Sequence, residues 1–161
     1  GDAQFTLKGI ESALMINEAG QDCKIILSTT QKYPYQLIGC GEEYTTIDSL
    51  AGGVVAGGLT TNSGPYSFAM ACLNNAGLVP GTDVEISTMA SAGYAAAIAS
   101  GELQGAVSTN PWSAKQLLDL GGVVIVDGEA VEGREFVVRL SEKKVNFFYP
   151  AGADYRPKQR L

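Results

Sequence analysis

Histidine is absent from all 161 residues, which removes the commonest general base and the commonest metal ligand together. Cysteine is scarce as well. Cys23, Cys40 and Cys72 are odd in number, far apart and without C-x-x-C spacing, so they read as buried or half-buried free thiols rather than a disulfide framework or a metal centre. Charged residues make up only 17 % of the chain, the net charge is -6, and lysines and arginines nowhere cluster among aromatics. A nucleic-acid backbone would find no electrostatic footprint here, and no nucleic acid is expected as a partner. No apolar run approaches the roughly 20 residues that span a bilayer. No charged segment followed by an apolar one opens the chain, but it begins without an initiator Met, so this says nothing about export. Also missing are G-x-S-x-G, H-E-x-x-H and G-x-x-x-x-G-K-[ST]; the glycines of "GGVVAGG", at 52, 53, 57 and 58, do not fit G-x-G-x-x-G. Covalent and acid-base chemistry have no visible machinery. The expectation is a protein that is not an enzyme and needs no metal or cofactor, with Glu11, Glu42, Glu43, Glu129 and Glu132 on solvated surface.

What is present is a 45 % hydrophobic chain with 20 glycines, in which strand and helix patterns alternate from end to end. Residues 2–7 alternate Ala3, Phe5 and Leu7 with polar neighbours, like a strand. Ile10, Ala13, Leu14 and Ala19 then fall at helical spacing with Gly20 as a stop, and 23–30 is a short β-branched run. Pro34 keeps 33–39 extended. A helical turn is expected around Asp48, Ser49 and Leu50, a buried strand at 53–59, a helix from Pro65 to Gly77 and a strand at 83–89. A further helix has Ser91 as its N-cap and Ala95, Ile98 and Ala99 facing inward; strand 105–109, helix 111–120 and strand 122–128 follow. From 128 to 144 the pattern weakens, and 145–150 returns as an isolated aromatic strand. Strands separated by helical patterns predict an α/β fold with a largely parallel sheet.

In such sheets ligands bind beyond the carboxyl ends of the strands, where helices begin with free N–H groups. Four junctions qualify: 6–9, 60–65, 89–92 and 108–112, each rich in small hydroxyl or amide residues. The simplest reading of Asn62 or Ser63 is a helix cap; of Trp112, a core residue or a ligand wall; of Lys8, a solvated lysine.

The order of the pieces carries a resemblance. Asp48-Ser49-Leu50-Ala51-Gly52, Asn75-Ala76-Gly77-Leu78, Gly101-Glu102-Leu103-Gln104-Gly105-Ala106 and Asn110-Pro111-Trp112 stand where the periplasmic substrate-binding proteins of ABC importers have their characteristic turns. The chain resembles most the subgroup associated with nitrate, sulfonates such as taurine, and pyrimidine thiamine precursors. Two departures stand out: Gln104-Gly105 replaces the usual Asp, and Pro111-Trp112 permutes the usual aromatic and proline.

The resemblance implies a type II periplasmic-binding-protein fold of two βα lobes. Residues 1–40 would be a partial lobe 1 with the outgoing crossing strand, 41–144 a nearly complete lobe 2, and 145–161 the return crossing. The first units of lobe 1 and the closing helices are missing from such a scheme, which implies a shortened chain whose incomplete lobe 1 would self-associate, as a homodimer. The implied function is binding a small polar or anionic ligand between the lobes and handing it to a membrane permease, in the periplasm or outside the cell. Expected contacts are Thr60, Thr61, Asn62, Ser63, Asn110 and Trp112 from lobe 2, and Thr6, Lys8, Thr30 and Gln31 from lobe 1. The alternatives are a pyrimidine-precursor synthase on the same fold, which the missing histidine disfavours, and the effector-sensing domain of a transcription regulator.

Overall fold

In the computed structural model, residues 4–27 and 33–130 are described throughout, and 136–140 and 143–147 as backbone. Helix α1 spans Ile10–Glu18 and ends at Gly20, whose φ of 81° only glycine adopts readily. The main sheet has five strands: β1 (Gln36–Cys40), β2 (Val54–Ala56), β3 (Glu85–Ser87), β4 (Gly105–Ser108) and β5 (Gly122–Asp127), in the order β3-β2-β4-β1-β5. β2 is parallel to both β3 and β4, whereas β1 is antiparallel to β4 and to β5. Four strands therefore point one way and β1, between β4 and the edge strand β5, the other, so the α/β, largely parallel expectation stands.

Helices cover both faces. α2 (Gly64–Asn75) buries Phe68, Ala69, Cys72 and Leu73 against Leu37, Val55, Val84 and Val107. On the opposite face α3 (Tyr94–Ala99) and α4 (Pro111–Asp119) bring Tyr94, Ala97, Ala114 and Leu117 against Ile38, Ala56 and Ala106. The period-two alternation along β1 sends Leu37 to one layer and Ile38 to the other, so one strand holds both cores. A 3₁₀ turn at Asp48–Leu50, as expected, drops Leu50 into the first core.

The departure at Gln104-Gly105 has a packing reason. The Val54 N–H donates to Gln104 Oε1 at 2.7 Å, and Gln104 Nε2 donates to the Gly101 carbonyl at 2.8 Å. A Cβ on Gly105 would lie 3.2 Å from Leu50 Cδ2 and 3.3 Å from the Ile38 carbonyl. A side chain at that position would press on both, which favours glycine there.

Several expectations are corrected. The 2–7 strand is not formed over 4–7, nor the 23–30 strand over 23–27; the remaining residues of those runs lie outside the described set. A strand needs a partner ladder, and none is present for these segments among the described residues. Instead the Asn17 side chain brackets Cys23, accepting from its N–H at 2.9 Å and donating to its carbonyl at 2.8 Å. Ser91 does not cap an α-helix: Ser91–Gly93 is a 3₁₀ turn, and α3 begins at Tyr94. Ala95 and Ala99 face solvent, because the large Tyr94 ring sets which side of this six-residue helix is buried. Nor is 145–147 isolated: it lies in β7 (Lys143–Phe147), antiparallel to β6 (Phe136–Leu140), which the weak pattern at 128–144 did not reveal. Glu11 is buried, at 8 % exposure, rather than solvated.

Candidate functional site

The chain leaves β2 for α2 on one face of the sheet and leaves the neighbouring β4 for α4 on the other face. In open α/β sheets ligands bind where connections diverge in this way, which here means the carboxyl ends of β2 and β4. The loop 57–63 follows β2 and the junction 109–112 follows β4, and the start of β1 lies beside the end of β4.

Sterics fix the first loop. Gly58 has φ 94°, and a Cβ there would lie 3.3 Å from Pro65 Cβ and Ser63 Oγ. The Met89 N–H donates to the Gly58 carbonyl at 2.8 Å, and the Gly57 N–H donates to the Ser87 carbonyl at 2.9 Å. From the far side the buried Tyr94 forms a hydrogen bond with the Gly58 backbone; burial pushes its hydroxyl pKa up and this bond pulls the other way.

The two helix starts differ. At α4, Asn110 Oδ1 accepts from the Ser113 N–H at 2.9 Å while Ser113 Oγ accepts from the Asn110 N–H at 3.3 Å, a reciprocal capping box that satisfies the end internally. At α2, Ser63 holds the N-cap position but its side chain caps nothing. Its hydroxyl donates to the Thr60 carbonyl at 2.7 Å. The Ser67 N–H finds the Ser63 carbonyl, and the first N–H groups of α2 have no side-chain cap. Together with the helix dipole they favour a negative or strongly polar group.

Thr60, Thr61 and Asn62 are exposed in the loop before α2, and Trp112, in the first turn of α4, is 72 % exposed, so it is not a core residue. Asn110 is largely committed to its cap. Thr6 and Lys8 are exposed in the N-terminal segment and line a separate hollow of about 890 Å³ with Glu11, Tyr33 and Tyr35. Thr30 and Gln31 lie outside the described residues.

Tyr35 escaped the sequence reading. A Cβ on Gly64 would meet its hydroxyl at 2.5 Å, so that hydroxyl sits against the first residue of α2. Its ring lies 5.5 Å from Tyr33 and 5.9 Å from Phe68, centroid to centroid. Burial, and then the Glu11 carboxylate, push the Tyr35 pKa up, while Tyr33 donates its hydroxyl to Glu11 Oε1 at 3.2 Å. The signal was the alternation in "YPY": extended backbone around Pro34 sends both tyrosines to the same side.

A parallel-stranded α/β domain with its polar loops gathered at a switch point has the architecture of a periplasmic binding protein. Solved structures agree. The periplasmic aliphatic sulphonate binding protein SsuA of Escherichia coli superposes with a TM-score of 0.52 at 23 % identity, over 62 % of this chain and 33 % of that one. The alkanesulfonate-binding protein SsuA of Xanthomonas axonopodis pv. citri, bound to MOPS, gives 0.51 at 20 % identity, over 62 % of this chain and 34 % of that one. The chain thus spans about a third of their length. The NMT1-like family matches residues 51–145, and the chain belongs to that family. No curated protein sequence matches it. Both solved relatives are titled as binding proteins, not enzymes, and neither title lends support to a homodimer.

Proposed function

We propose that this chain is the ligand-gripping part of a solute-binding protein of an ABC importer, acting on the outer side of the membrane and delivering its ligand to a permease. The observation that carries this reading is the uncapped start of α2 at the switch point, with the Tyr35 hydroxyl beside Gly64 and Trp112 exposed at the start of α4. Backbone N–H groups, hydroxyls and an aromatic wall suit a small anionic or polar molecule, and the sulfonate-binding titles of the solved relatives point to the same class. Residues 41–144 would form most of one lobe, 1–40 part of the other with the outgoing crossing, and 145–161 the return. Contacts from both lobes would make the closed state the better binder.

The test is an NMR titration of the 161-residue chain with methanesulfonate and with nitrate, using chloride at equal ionic strength as the control. Saturable shifts are expected for the amides of Thr60, Ser63, Gly64 and Tyr66. Shifts no different from those with chloride at these four positions would defeat the anionic reading.

A further inference from the structure

The hollow beside α1, of about 890 Å³, has no part in the reading above. Glu11, in the first turn of α1, lines it and is only 8 % exposed. Burying a carboxylate this deeply is costly unless a cation or several donors face it. Among the described residues Glu11 has a single hydrogen-bond donor, the Tyr33 hydroxyl at 3.2 Å from Oε1, and no lysine forms an ion pair with it. Gly9, at the N-cap, leaves the space that the second oxygen occupies, since a Cβ there would lie 2.7 Å from Oε2. Lys8, Lys24 and Asp22 also line the hollow, but all three are exposed, where solvent screens their charges far more than that of a buried carboxylate.

The aromatic part of the lining narrows the chemistry that could face Glu11. Tyr33 and Tyr35 are both half-buried there, their rings edge to face with centroids 5.5 Å apart. Phe68 stacks on Tyr33 at 5.7 Å and steadies it. Burial, and after it the Glu11 charge, raise the Tyr35 pKa, so the carboxylate lies within electrostatic reach of both rings. Ring faces attract cations, and an organic ammonium gains from them while a compact metal ion needs more oxygen ligands. No group of three acidic or thiol side chains among the described residues is placed to hold a metal ion.

We infer that this hollow binds a small organic ammonium, with Glu11 as its counter-ion and the Tyr33 and Tyr35 rings as its aromatic walls. It uses none of the α2 N–H groups, so it stands or falls apart from the anionic reading. The probe is ethanolammonium chloride, titrated into the 15N-labelled chain alongside potassium chloride and magnesium chloride at matched ionic strength. Saturable shifts are expected at the Gly9, Glu11 and Tyr33 amides, with those of Thr60 and Ser63 still. Glu11→Gln, which keeps an oxygen for Tyr33 to donate to and removes the charge, should weaken binding about tenfold, a loss of about 1.4 kcal/mol. Gly9→Ala, whose new methyl group displaces the carboxylate, should weaken it as well. Shifts of the same size with potassium chloride, saturation only by magnesium, or unchanged affinity in both variants would overturn the assignment.

Discussion

Single residues decide whether the site keeps its shape. Gly58→Ala forces a side chain into a left-handed backbone and against Pro65 and Ser63, and should cost about 1–2 kcal/mol by urea denaturation. Asn110→Ala should cost about 1 kcal/mol by removing the α4 cap, whereas Asn110→Asp, which keeps the acceptor and adds charge at the positive helix end, should not. The thiols set an alkaline limit. Burial pushes Cys40 up to about 11 and Cys72 to about 12 from the ordinary 9.0, because a thiolate would lose its water. The folded state therefore holds these protons more tightly than the unfolded chain. Their contribution is complete below about pH 9 and is lost as the pH rises through the folded values. Urea midpoints should fall from about pH 9 upward, and less so in a Cys40→Ser, Cys72→Ser variant once its lower starting stability is allowed for.

Elements show what the sequence could and could not disclose. The helices α1, α2 and α4 and the strands β1 to β5 were readable because each repeats its apolar period and ends at a turn-forming residue, such as Gly20 or Gly77. The alternation in 2–7 and the β-branched run in 23–30 also read as strands, but a ladder partner is not a local property, so over 4–7 and 23–27 the pattern alone could not make them so. The short α3 was misread in phase for a related reason: six residues hold too few apolar positions to fix a face, and Tyr94 decided it. At the site, the loop 60–63 and Trp112 were legible as polar or aromatic residues after strands, while Tyr35 depends on a contact across more than one element. Phe68 tests the layer beneath them. It is 1 % exposed and packs against Tyr33 and Tyr35, so Phe68→Ala should cost about 3–5 kcal/mol and free the Tyr35 ring, readable as altered tyrosine resonances.

At the scale of the molecule, stability is unevenly spread. Between residues 4 and 27 only Glu11 is buried, while Phe5, Leu7, Ile26 and Leu27 are each at least 75 % exposed. Amides of α1 should exchange with solvent much faster than those of β1 and β4, and Phe5→Ser with Ile26→Ser should reduce binding of a hydrophobic dye without lowering the melting temperature of the sheet. The reversed strand β1 has a further consequence, for synthesis on the ribosome. Of the five strands of the sheet, β1 is made before the other four, and its partners lie as far along the chain as Ser108 and Asp127. Leu37 and Ile38, fully buried at the end, stay uncovered until almost the whole sheet has been translated. Folding of this domain is therefore a late, all-at-once event. Stalled nascent chains should resist protease only when β5 has cleared the exit tunnel.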